Sequence, residues 1–149
     1  MFKNILVATE FNVNYHKLID YAKEIASKFD AKIWIIHVIA PESDFVGYGM
    51  EPLYIPDFKE DKIKEEHRLL KNIVEELQLA GVSSDGLILE GATTERILEE
   101  CNKLKIDLIC MGHRNYGWIH QLLAKHVDID VIEHSKIPVL TIPLVEKEA

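Results

Sequence analysis

The chain has 149 residues, 48% apolar and 28% charged, a composition that suits one globular domain and excludes the disordered and membrane classes. Its formal net charge of −8 argues against broad binding to nucleic acid or to an anionic membrane. Cys101 and Cys110 lack CxxC spacing, so neither a structural disulfide nor a zinc ribbon is expected, and a reducing cytoplasm fits. The start MFKNILVATE lacks the basic and apolar stretches of a secretory signal, and apolar runs such as 33–39 are too short to cross a bilayer.

Residues 4–8 (NILVA) make the first short apolar run. Leu18, Tyr21, Ala22, Ile25, Ala26 and Phe29 follow at three-to-four spacing, which predicts a helix with one apolar stripe. Residues 33–39 (IWIIHVI) are the second run, and His37 within it is expected to be a hydrogen-bonded core or edge histidine. Residues 41–58 are the one long irregular stretch. Their prolines and the aromatics Phe45, Tyr48, Tyr54 and Phe58 predict a packed loop, either a crossover covering the sheet edge or a lid over a pocket. The run 57–67 (DFKEDKIKEEH) reads as a solvated helix face. Ile63, Leu70, Ile73, Val74 and Leu77 supply that helix's apolar stripe, and Gly81 is its expected stop.

Residues 86–89 (GLIL) form the third apolar run. A third helix should open at Thr93 or Thr94, with Glu95 suiting the helix dipole and Ile97, Leu98 and Cys101 facing inward. Residues 107–111 (DLICM) are the fourth run, with Cys110 a small core residue. A less regular helical region spans 119–134 through Leu122, Leu123, Val127 and Val131, and 138–142 (PVLTI) end the series.

Near-continuous apolar runs of this length read as strands buried on both faces. The order βαβαβαβαβ therefore predicts one α/β domain over 1–149. It is a doubly wound, five-stranded parallel sheet with right-handed crossovers and helices on both faces. Ligands of such folds bind outside the carboxyl ends of the strands, where strand order switches. Those ends are 9–12, 38–40 and 111–117.

The last of these has an unusual charge. Residues 111–127 contain no Asp or Glu but hold Arg114, Lys125, His113, His120 and His126. Three readings stand: a solvated helix face, a cationic cradle for an anion, or a histidine metal site. The histidine spacing matches no common zinc pattern. The segment 112–117 (GHRNYG) lacks the Lys-Ser or Lys-Thr of a P-loop, and no GxGxxG occurs. No nucleophile elbow or Ser-His-Asp order supports covalent hydrolase chemistry.

Ordered along the chain, KNILVATEFN, IIHVI, EGATTERILEECNKLKIDLICMGHR and HSKIPVLTI together resemble the universal stress protein family, from Lys3 to Pro143. The resemblance implies an adenine-nucleotide alpha-hydrolase-like, Rossmann-like fold and a cytoplasmic, dimeric stress-response protein. Many members bind ATP through spaced glycines that let backbone N–H groups approach phosphates. Gapless alignment matches Gly112 to the first glycine, whereas Asn115, Lys125 and His126 replace the two later glycines and the hydroxyl residue. Asn tolerates left-handed backbone angles, but Lys125 is a poorer substitute for a glycine. Glu10 stands where members place an aspartate, and either contacts ribose or a metal or faces solvent. The implied nucleotide contacts are Ala8, Thr9, Glu10, Val38, Met111, Gly112, Arg114, Asn115, Lys125, His126 and Val127.

Two functions follow. One is a homodimeric stress-response interaction protein without nucleotide turnover and with no certain cofactor. The other is a switch that binds ATP, with Mg, or another adenine nucleotide or anion through a modified phosphate loop, with at most slow hydrolysis. The dimer is expected through the final strand, residues 139–144. Leu140, Ile142 and Leu144 are its candidate contacts, and Val139 and Thr141 lie on the opposite face. Pro143 and the charged tail Glu146, Lys147 and Glu148 could instead block that edge.

Overall fold

The fold is that of a computed structural model, which describes residues 1–11, 14–39, 55–90, 93–113 and 127–144; the side chains at 38, 39, 55–59, 90, 93 and 128 lie outside that description. The elements alternate as β1 (Asn4–Ala8), α1 (Tyr15–Phe29), β2 (Lys32–Ile39), α2 (Ile55–Leu79), β3 (Ser84–Glu90), α3 (Thr93–Lys103), β4 (Leu108–His113), α4 (Val127–His134) and β5 (Val139–Pro143). All four strand pairings are parallel, and the sheet order is β3-β2-β1-β4-β5. The chain thus winds outward from β1 through β2 to β3, then returns to β4 on β1's other side. Right-handed crossovers force the helices of the two halves onto opposite faces. Accordingly Leu18, Ala22 and Ala26 of α1 and Leu70, Ile73 and Leu77 of α2 share one core cluster, whereas Ile97 and Cys101 of α3 and Val131 of α4 share the other. Ile5, Leu6 and Val7 of β1 lie between them with no exposed surface.

Several boundaries differ from expectation for local reasons. In α1 the buried arc is Leu18, Ile19, Ala22 and Ala26, while Tyr21 is 49% exposed; at 100° per residue Tyr21 falls outside that arc. Phe29 is also half-exposed, because it sits at the last turn and pairs edge-on with Phe2 at 5.1 Å. The long loop does not reach Phe58: α2 opens at Ile55, and Pro56 suits a first helical turn, where its missing N–H is no loss. Residues 40–54, and with them the choice between crossover and lid, lie outside the described residues.

β3 begins two residues before the apolar run because Ser84 and Asp85 satisfy their polar groups in place. The Ser84 hydroxyl donates to the Val74 carbonyl at 3.2 Å, and Asp85 meets Lys32 Nζ at 2.6 Å. Asp107, expected within β4, precedes it instead. Its carboxylate accepts the N–H groups of Lys3 (2.8 Å) and Asn4 (3.2 Å), pinning the start of β1 to that of β4.

Three helices end in one motif. Gly81, at φ 84°, stops α2; Val82 N–H returns to the Leu77 carbonyl (2.9 Å) and Gly81 N–H to that of Gln78 (3.0 Å). Asp30 (φ 54°) after α1 and Lys105 (φ 53°) after α3 take the same left-handed position, with Ala31 bonding back to Ala26 and Ile106 to Cys101. The residue that follows each turn, Ala31, Val82 or Ile106, is buried. Only Gly adopts this conformation without a Cβ penalty. Lys105→Gly should therefore stabilise the domain by about 1 kcal/mol and raise the melting temperature by ~2–4 °C. Thermal denaturation followed by circular dichroism checks this, and an unchanged or lower midpoint would contradict it.

Candidate functional site

Strand order reverses at β1 and β4, which lie side by side with α1 packed on one face of the sheet and α4 on the other, and folds of this kind bind ligands in a crevice at the carboxyl ends of two such strands. Residues expected at the site from three strands meet there. Ala8 pairs in register with Ile36 on one side and Met111 on the other. Thr9 N–H donates to the Ile36 carbonyl at 3.0 Å, extending the ladder one residue beyond β1 toward Val38. Gly112 follows Met111 in β4. Val127 opens α4 and, with Ala8 and Met111, belongs to the core cluster beneath the crevice on the α3 and α4 face. Glu10 is exposed, two residues beyond the end of β1. Val38 is in β2 by its backbone, while its side chain lies outside the described residues, as do Arg114, Asn115, Lys125 and His126. The cationic segment and the substituted glycine positions therefore remain expectations.

The turn leaving β1 is tightly organised. Thr9 is buried, and its hydroxyl oxygen accepts the N–H of Phe11 at 3.1 Å, which holds Phe11 at φ 55°. Phe11 packs edge-on against Tyr15 (5.6 Å) and tilted against the His37 ring (4.9 Å). His37 is buried and hydrogen-bonded, as expected. Its Nδ1 lies 2.8 Å from the Thr9 carbonyl oxygen and its Nε2 3.1 Å from Glu66 Oε2. Glu66 departs from the solvated face expected of 57–67, since it turns inward to meet His37. Nothing in the one-dimensional pattern marks that pairing, because a charged residue in a charged run looks solvated.

Gly112 has a packing reason of its own. A Cβ built on it would run into Leu144 Cδ1, so the absent side chain makes room for Leu144. Leu144 is buried there, its N–H donating to the His113 carbonyl at 2.9 Å. Asn14 Nδ2 donates to the Leu144 carbonyl and Lys17 Nζ to the Pro143 carbonyl, each at 2.9 Å. The exit of β5 is thereby tied to the start of α1. This corrects the expected dimer contacts. Ile142 and Leu144 are 2% and 8% exposed in their own chain's core, and Leu140 packs against the same cluster, because this face of β5 points at α1.

Neither cysteine is set up as a nucleophile. Burial pushes both thiols up to about 12, Cys110 by desolvation alone and Cys101 with a smaller contribution from neighbouring Glu100, so neither is a thiolate near neutrality. Among the described residues no group of three or more His, Cys, Asp or Glu could hold a metal ion. No helix among them is long and apolar enough to cross a membrane.

Comparison with known proteins gives a consistent result. Residues 1–143 match the profile of the universal stress protein family. The chain is 30% identical over 143 residues to a universal stress protein of Thermus aquaticus, covering 95% of this chain and 99% of the relative. It is also 30% identical over 149 residues to one of Methanocaldococcus jannaschii, covering 99% and 86%. Among solved structures it is similar to a universal stress protein in complex with cAMP (TM-score 0.68, 20% identity, 97% of this chain and 98% of that one). A further similar structure is the universal stress protein from Archaeoglobus fulgidus in complex with dAMP (TM-score 0.65, 15% identity, 95% and 97%).

The Leu144 contact has a measurable consequence. Gly112→Ala should cost about 1–3 kcal/mol, since the new methyl forces Leu144 from its seat. In a Leu144→Ala background the same substitution should cost much less. Urea denaturation of the four proteins in this cycle measures the difference, and equal costs in both backgrounds would show that Leu144 is not what excludes the methyl.

Proposed function

The chain belongs to the universal stress protein family, and from that premise we propose that it is a cytoplasmic, homodimeric stress-response protein that binds an adenine nucleotide in the β1–β4 crevice without turning it over. The observation that carries the nucleotide reading is the convergence of Ala8, Thr9 and Glu10 with Met111 and Gly112 at the reversal of strand order. Relatives of the same fold in complex with cAMP and dAMP support it. Both of those ligands carry one phosphate, which suits a chain that keeps one of the three motif glycines. The proposal stops at binding and assigns no hydrolytic step.

Calorimetric titration with AMP, cAMP and ATP tests the binding. Dissociation constants of roughly micromolar to millimolar are expected, because the spaced glycine cradle is largely replaced. Amide shifts should concentrate at residues 8–10 and 111–112. Saturating nucleotide without heat or shift change would reject the site.

The dimer rests on the outer edge of β5, with which no strand pairs among the described residues. Pro138 O accepts from Ile109 N–H and Leu144 N–H donates to His113 O, so even-numbered residues face β4. By the two-residue period, Val139 and Thr141 direct their N–H and C=O groups outward. Two such edges pair antiparallel about a two-fold axis, through backbone rather than through the buried Ile142 and Leu144. Ile129 and Ile132 of neighbouring α4 are 43% and 49% exposed and add apolar surface beside that edge. Thr141→Pro removes an outward N–H while sparing the β4 ladder. Light scattering should read a dimer for the parent and a folded monomer for the variant, and a variant that stays dimeric would place the interface elsewhere.

A further inference from the structure

His37 and Glu66 form a pair whose proton count is dictated by its neighbours. A carbonyl oxygen can only accept, so His37 Nδ1, 2.8 Å from Thr9 O, must carry a hydrogen. The 3.1 Å approach of Nε2 to Glu66 Oε2 then requires one more proton between them. Either the imidazolium donates to the carboxylate, or the carboxylic acid donates to neutral imidazole; the count is the same. Withdrawing that proton leaves two lone pairs facing each other at a site where His37 is 6% exposed and the Glu66 side chain 12% exposed. The other tautomer offers no escape, because it would strip the hydrogen from the bond to Thr9 O. Adding a proton leaves the contact intact, since Nε2–H then donates to the carbonyl oxygen of the neutral acid.

What this pair holds is the turn at the candidate site. Thr9 O, one residue beyond β1, is its anchor, Thr9 Oγ1 accepts the Phe11 N–H, and the Phe11 ring lies against the imidazole. Among the described residues the other charges nearby are Lys62, whose Nζ is 4.0 Å from Glu66 Oε1 but whose side chain is 68% exposed, and Glu10, next in the turn after Thr9. From β3 the residue in register with His37 is the apolar Ile88. Lys62, tethered in water, cannot take the place of the missing proton.

We propose that the His37–Glu66 pair is a one-proton latch, with both members as positioning residues, that keeps the turn of residues 9–11 in the shape that receives an adenine nucleotide and loosens it when the shared proton is withdrawn on the alkaline side. The proposal rests on the nucleotide-binding reading above and adds the regulation of that site.

The test uses the full chain with cAMP, whose phosphodiester keeps one negative charge across the range studied. Affinity is measured from about pH 5 to about pH 9, a span that brackets the range in which histidine side chains in general change charge. The parent should weaken by ~5-fold or more toward alkaline pH, the equivalent of one lost hydrogen bond. Glu66→Gln is the decisive variant. Its amide donates to the lone pair of neutral His37 with no dissociable proton, so its affinity should stay near the parent's acid-side value at every pH. His37→Phe, which releases Thr9 O altogether, should bind weakly throughout without that pH slope. A parent with no slope, or a Glu66→Gln variant with the parent's slope, overturns the latch.

Hydrogen exchange of the Phe11 amide, compared between parent and Glu66→Gln at matched pH, is read without nucleotide. Protection lost only in the parent at alkaline pH supports the latch. Identical protection in both proteins overturns it. If cAMP, AMP and ATP all fail to bind, the nucleotide reading falls, and the exchange result alone decides whether the proton-controlled turn stands.

Discussion

Everything in this domain hangs on β1 being paired on both sides. Ile5, Leu6 and Val7 have no exposed surface because β2 and β4 flank them and helices cover both faces. A chain that winds outward from such a strand and returns to its other side must place the helices that follow β1 and β4 on opposite faces, and the carboxyl ends of those two strands are where such folds take a ligand. Asp107 secures the arrangement at the opposite end of the sheet. By accepting the N–H groups of Lys3 and Asn4 it fixes β1 against β4 before either strand begins, and with it the offset that sets Ala8 beside Met111.

That architecture was legible in the sequence to the extent that burial on two faces writes continuous apolar runs. NILVA and IWIIHVI are apolar apart from Asn4 and His37 because a parallel sheet between helices has no wet side. The reading faltered where a polar residue is satisfied locally. Ser84 and Asp85 carry a strand start that hydropathy does not register. Tyr21 and Ile19 show a second limit, since a stripe drawn by residue type cannot see which of two adjacent arcs the sheet covers. The left-handed turns at Asp30 and Lys105 are invisible for a third reason: glycine is the usual signal for that conformation, and neither position has one.

The candidate site divides along the same line. Its backbone components follow from topology and could be placed from the strand ends alone. Its side-chain pairing could not. His37 reads as a core histidine, and it is one, but its partner Glu66 is drawn from a helix distant in sequence and from a run whose composition advertises solvent. The contact exists because α2 packs over β2 and β3 at a height where that one carboxylate reaches the imidazole. Three-dimensional register, not residue type, selects it from the neighbouring acids.

Gly112 shows why a surviving motif residue must be weighed against packing. It aligns with the first glycine of a phosphate-binding pattern whose other positions are changed, which invites the view that it persists for a phosphate. The structure supplies a sufficient reason without one. Residues alternate across a strand, so Gly112 faces the same side as Cys110, toward α1, and there Leu144 fills the volume a Cβ would need. Leu144 cannot easily retreat. Its N–H is committed to His113 and its carbonyl to Asn14, while Lys17 holds the residue before it. Phosphate approach would use the backbone N–H groups of the loop beyond, whereas packing uses the missing side chain, so the two demands fall on different atoms. A glycine kept by the second demand alone would be retained in a chain that had lost the first. Its presence therefore places the strand end but does not by itself assign a phosphate to it.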